Sequence, residues 1–186
     1  MQFASDDNMP FRHQSDTYSV AAVDRHLLAN LHIAIAASRF NADITSSLYE
    51  NTYARLTDLG IKSENITTAW CPGAFEIPLV VKHLARLDKY NAIIALGAVI
   101  RGETWHFELV ANNCALGILN TSLEFETPII FGILATDDHE QAVMRSSPDH
   151  FNAGAVAAET AVEMSVKIMD IKSRLQPDAP SGHKAG

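Results

Sequence analysis

Residues 91–110 read NAIIALGAVIRGETWHFELV. The first ten are apolar apart from Asn91, and the run is short and rich in isoleucine and alanine, which predicts a buried strand. An arginine, a glycine, a threonine and a histidine then crowd into RGETWH, and a helix is predicted from Trp105 to about Phe125. A strand that feeds directly into a turn and a helix belongs to an α/β architecture. Turns of this kind lie at the carboxyl ends of strands, where open α/β sheets hold their ligands. This one offers backbone N–H groups, a hydroxyl and His106, a side chain that can exchange a proton near neutral pH.

Outward from that stretch, strands and helices alternate. LHIAIAA (31–37), NITTAW (65–70) and PIIFGILAT (128–136) read as further strands. Helices are predicted over 42–59, stopped by Gly60, and over 75–87, with Pro78 tolerated in the first turn. A short helix spans 139–145 and a long one 154–175, the latter with Ala157, Ala161, Met164, Ile168 and Ile171 at helical spacing. Alternation of this kind predicts an α/β fold, a three-layer α/β/α sandwich around a flavodoxin-like, four-stranded parallel sheet. Residues 1–28 read as an irregular N-terminal extension, mobile or laid on a neighbour, residues 29–175 as one domain, and 176–186 as a flexible Pro/Gly/Ser-rich tail.

The 186 residues are 47% hydrophobic and 19% charged, which fits one globular domain. A net charge of −8 argues against a nucleic-acid partner. No apolar run reaches membrane-spanning length, and the acidic start, with Asp6 and Asp7, does not read as a secretory signal. Cys71 and Cys114 lie in apolar surroundings outside any CxxC pair, so buried free thiols in a reducing, cytoplasmic compartment are expected, with no zinc site. Asp137, Asp138 and His139 are adjacent in sequence and do not converge on one helix face, so helix capping is expected of them rather than metal binding.

The parallel topology delivers four loops to one edge of the sheet: RFN (39–41), CPGAFE (71–76), AVIRGETWH (98–106) and FGILATDD (131–138). Phe40 is placed either to stack on a flat heterocycle or simply to cap the core. Gly73 permits close backbone approach, and Glu76 sits near a helix start, where acids are common with or without a ligand. Arg145, at the end of the short helix, is a solvated helix-end cation or a forked partner for phosphate. His106 is the candidate acid/base. GxGxxG, Walker and GxSxG motifs are absent, and SRFNAD does not supply the phosphate loop that a flavodoxin-type FMN site needs after its first strand.

Taken together, SRFN, PGAFEIP, ALGAVIRGETWHFELV, PIIFGILAT, EQAVMR and NAGAVAAETAVEM, in this order from about Leu31 to Ile171, resemble the lumazine synthase family. The resemblance implies a transferase of riboflavin biosynthesis that joins two small-molecule substrates, 5-amino-6-(D-ribitylamino)uracil and 3,4-dihydroxy-2-butanone 4-phosphate. The products would be 6,7-dimethyl-8-ribityllumazine and phosphate, with no metal and no organic cofactor. It also implies roles. Phe40 would stack on the pyrimidine, Ala74, Phe75 and Glu76 would meet the ribityl chain, and Ala98, Val99 and Ile100 would line the ring through backbone groups. Glu103, through its backbone N–H, and Thr104 would hold the phosphate, while His106 moves protons. Phe131 and Arg145 would complete the pyrimidine and phosphate ends from the neighbouring subunit of a homo-oligomer built from pentamers.

The sequence departs from the family in places. The usual Asn-Lys-Gly before the last helix is Asn152–Ala153–Gly154, LTT is LAT with Ala135, SSPDHF (146–151) is unusual, and the extension is long. The missing lysine raises a rival expectation, a non-catalytic assembly of the same fold that binds lumazine or flavin.

Overall fold

Each central strand of the sheet alternates between two cores. The computed structural model describes residues 23–175. Its strands are β1 (Ile33–Ser38), β2 (Ile66–Cys71), β3 (Ala92–Ile100) and β4 (Ile129–Thr136), all parallel, in the order β2-β1-β3-β4. The helices are α1 (Arg25–Ala29), α2 (Ala42–Asp58), α3 (Ile77–Arg86), α4 (His106–Phe125), α5 (His139–Ser146) and α6 (Ala153–Leu175). Because side chains alternate along a strand, Ile33, Ile35, Ala37, Ile94, Leu96 and Ala98 pack on one face against α2, α5 and α6. Ala34, Ala36, Ile93, Ala95 and Val99 pack on the other against α3 and α4. This is the three-layer, flavodoxin-like sandwich that the alternation of apolar runs predicts.

The second helix is buried through Ile44, Thr45, Leu48, Thr52 and Leu56 and ends at Gly60, whose φ of +100° suits a residue without Cβ. The two helices on the far side touch closely. A Cβ on Gly117 would lie 2.6 Å from Pro78 Cβ, so only glycine lets α4 pass the first turn of α3. Both cysteines are free and buried, as expected. Burial pushes the Cys114 thiol up to about 12, and burial with Glu76 nearby raises Cys71, so neither is a ready nucleophile.

Two expectations need correction. Residues 25–28, the end of the extension that reads as irregular, belong to α1, N-capped by Asp24, with Leu28 buried in the core. The rest of that extension, residues 1–22, and the tail, 176–186, lie outside the described residues. The core-facing stripe of α6 is Gly154, Ala157, Ala158, Ala161, Val162 and Ser165, while Met164 and Ile171, expected on that face, are exposed. Close approach to α2 selects the smallest side chains and turns the larger ones outward. The strand β4 lies at one edge of the sheet, with Ile130 and Leu134 against one core and Ile129 and Ile133 against the other; only Ile133 and Thr136 are fully buried. Among the described residues no helix is long and apolar enough to cross a membrane.

Candidate active site

The carboxyl edge of the sheet opens between β1 and β3, where the strand order reverses. The β1–β3 ladder ends at Ala37↔Leu96, whereas β3 stays paired with β4 to Ile100↔Thr136. On the other side the β1–β2 pairing is prolonged, Arg39 N–H donating to Cys71 O (2.8 Å) and Phe40 N–H to Pro72 O (3.0 Å). The sheet therefore separates into two pairs of strands, and a cavity of about 730 Å³ fills the gap.

Its walls come from three strand ends and one helix. The loop after β1 supplies Phe40 and Asn41; Gly73, Ala74, Phe75 and Glu76 follow β2; Ala98, Val99, Ile100, Gly102 and Thr104 come from β3 and its turn. Phe40 is 69% exposed, which rules out the reading that it merely caps the core. Residues 74–76 form one turn of 3₁₀ helix ahead of α3, with Glu76 at the helix N-cap. His106 is the first residue of α4, and its backbone N–H reaches the Thr104 hydroxyl at 3.4 Å. His106 is exposed and lines the cavity beside the β3–α4 turn.

Of the twelve residues singled out from sequence, Phe40, Ala74, Phe75, Glu76, Ala98, Val99, Ile100, Thr104 and His106 line this one cavity. Glu103 does not line it; it is exposed between Gly102 and Thr104, which do. Phe131 lies apart, in a groove of about 410 Å³ along β4 that also involves Phe151, Ala153 and Val156. Arg145 is exposed on α5 and makes no salt bridge among the described residues. One chain thus gathers one part of the expected set and leaves Glu103, Phe131 and Arg145 outside the lining.

Sequence reading missed Asn41, Phe107, Leu109, Val110 and Asn113 as cavity residues. The signal was available for the last three: positions 109, 110 and 113 follow His106 by three, four and seven, on one helix face. It also missed the clamp on Arg101. That guanidinium donates to Asp137 (2.8 Å) and to Glu108 and lies over the Phe107 ring at 4.3 Å. Its own backbone N–H and Arg101 hold Glu108 below the usual carboxylate range. The clamp ties the β3–α4 turn to the loop after β4. In that loop Asp138 caps α5 through the Gln141 N–H (2.8 Å), the capping expected of the cluster, whereas His139, the first residue of α5, pairs with Asp43 of α2 (2.6 Å).

A switch-point cavity with an aromatic wall, a row of backbone edges and one histidine defines a small-molecule enzyme of the flavodoxin-like α/β class. The family model described as 6,7-dimethyl-8-ribityllumazine synthase matches residues 30–168. A protein of that name from Protochlamydia amoebophila (strain UWE25) is 49% identical over 137 residues, covering 74% of this chain and 80% of the relative. Another, from Coxiella burnetii (strain CbuG_Q212), is 44% identical over 141 residues, covering 76% and 93%. The chain belongs to the 6,7-dimethyl-8-ribityllumazine synthase family, transferases of riboflavin biosynthesis.

Proposed function

We propose that this cavity condenses 5-amino-6-(D-ribitylamino)uracil with 3,4-dihydroxy-2-butanone 4-phosphate to give 6,7-dimethyl-8-ribityllumazine and phosphate. The observation that carries the reading is the gathering of Phe40, Ala74–Glu76, Ala98–Ile100, Thr104 and His106 around one space. Phe40 stacks on the pyrimidine, whose edges meet the backbone of Ala98, Val99 and Ile100. Ala74, Phe75 and Glu76 hold the ribityl chain. The Glu103 N–H and Thr104 seat the phosphate near the start of α4, where the helix dipole favours an anion. An amine condenses with the ketone and releases water, loss of phosphate leaves an enol that becomes a carbonyl, and the second amine condenses with that carbonyl, releasing a second water and closing the ring. His106 carries protons between these steps, and holding two substrates in register supplies much of the rate. The reaction takes no metal and no organic cofactor, and the enzyme works in the cytoplasm.

The site is completed by a second copy, in a homo-oligomer built from pentamers. Phe131 and the Arg145 guanidinium arrive from the neighbour, at the pyrimidine and phosphate ends. Two apolar surfaces left open on the single chain support this: the β4 groove, and the outer face of α4 with Leu116, Leu119 and Leu123 exposed.

Mixing the protein with both substrates should produce the absorbance and fluorescence of the lumazine well above the spontaneous rate. Tight lumazine or flavin binding without turnover would instead support the non-catalytic assembly suggested by Ala153, which starts α6 and lines the β4 groove beside Phe131. Arg145→Ala should mainly weaken use of the phosphorylated butanone. Co-refolding that variant with His106→Ala should restore activity, because about a quarter of randomly formed interfaces then pair two intact halves. A mixture no more active than its components would place Arg145 in its own chain's site or outside the site.

A further inference from the structure

Asn41 is in the left-handed region, with φ 54° and ψ 55°, directly after the aromatic wall of the cavity. Its carbonyl accepts from Ile44 N–H (3.1 Å) and Thr45 N–H (3.0 Å), starting α2, while Phe40 O accepts from the Thr45 hydroxyl (3.2 Å). Its side chain takes no part in capping that helix. The amide Nδ2 instead crosses the sheet and donates to Ala98 O at 3.0 Å.

That bond sits where the sheet has come apart. Among the described residues no backbone pairing joins β1 to β3 beyond Ala37↔Leu96, and the Phe40 N–H is held from the β2 side, by Pro72 O. Ser38, at the point of separation, keeps a fully buried hydroxyl with no partner among the described residues. Asn41 therefore supplies the one side-chain tether, among the described residues, between the Phe40 loop and the Ala98–Ile100 edge.

We propose that Asn41 is a positioning residue. It sets the spacing between the Phe40 ring and the β3 backbone edge, and so the fit of the flat heterocycle between them. The inference rests on the reading of the cavity given above. A left-handed backbone explains tolerance of asparagine or glycine here, but it does not by itself call for a long amide. The reach to Ala98 O does.

The test uses the full chain. Asn41→Gly keeps the left-handed turn and removes the tether; Asn41→Asp keeps the shape but faces the Ala98 carbonyl with an oxygen that cannot donate. Each variant should raise KM for the ribitylaminouracil about 10-fold, the loss of one hydrogen bond, with Asn41→Asp the worse. KM for the butanone phosphate and kcat should stay within about two-fold, since the phosphate seat is built elsewhere. Peptides spanning 38–45 should exchange amide hydrogens faster in Asn41→Gly, with global melting little changed. An unchanged uracil KM with an active wild type would overturn the proposal, as would equal rises in both KM values. A wild type that makes no lumazine sinks the functional reading instead. Faster exchange would then show the tether at work, and unchanged exchange would remove it too.

Discussion

Replacing His106 with alanine should lower kcat for lumazine formation by roughly 100- to 10,000-fold, the range for a positioned acid/base. Among the described side chains lining the cavity only Glu76 and His106 are of acid/base type, and Glu76 belongs to a different loop, at the start of α3. Both cysteines are buried with raised thiol values, so they offer no substitute. His106→Gln should fall nearly as far, because it keeps a hydrogen-bonding tip but cannot shuttle a proton. KM values should move little, since the aromatic wall and the phosphate seat are untouched. A loss of only about three-fold in both variants, measured by lumazine absorbance, would remove the proton-transfer role.

A second large effect is expected far from the chemistry. Gly154→Ala should destabilise the protein by about 3 kcal/mol, the upper part of the range for overpacking. A Cβ there would stand 2.4 Å from Leu48 O, 3.0 Å from Asn51 Cβ and 3.1 Å from Thr52 N, two of them backbone atoms of α2 that cannot rotate away. The displacement would also strain the buried hydrogen bond from the Thr52 hydroxyl to Gly154 O, 2.9 Å. Against this, alanine gains up to about 1 kcal/mol of helix propensity, so the net sign is the test. Denaturant unfolding should show a clear drop in midpoint. An unchanged or higher midpoint would mean that α6 can lift off α2 at little cost.

Much of this site was legible in the residue order. Apolar runs gave the four strands, their alternation with helices gave parallel pairing, and parallel pairing places all carboxyl ends on one edge. From there, loops 39–41, 71–76 and 98–106 meet without knowledge of a single contact. What stayed hidden depends on three-dimensional fit. The buried stripe of α6 was set by how closely two helices approach, not by hydrophobicity, so Met164 and Ile171 misled while Gly154, Ala158 and Ser165 were overlooked. The Arg101 clamp joins residues 36 and seven positions apart, a pairing no periodicity announces. The Asn41 tether spans 57 positions and becomes visible only once the β1–β3 ladder is known to end early.

The small residues along α6 have a consequence for synthesis. A chain made from its amino end releases every cavity-lining residue, Phe40 through Asn113, before Gly154 has emerged. Until then the face of the sheet carrying Ile33, Ile35, Ile94 and Leu96 lacks its last helix. The helix that closes it is the final one to leave the ribosome among the described residues, and it must settle against α2 already in place. Glycine and alanine carry almost no rotamers to sort, so the late arrival docks backbone to backbone with little rearrangement on either side.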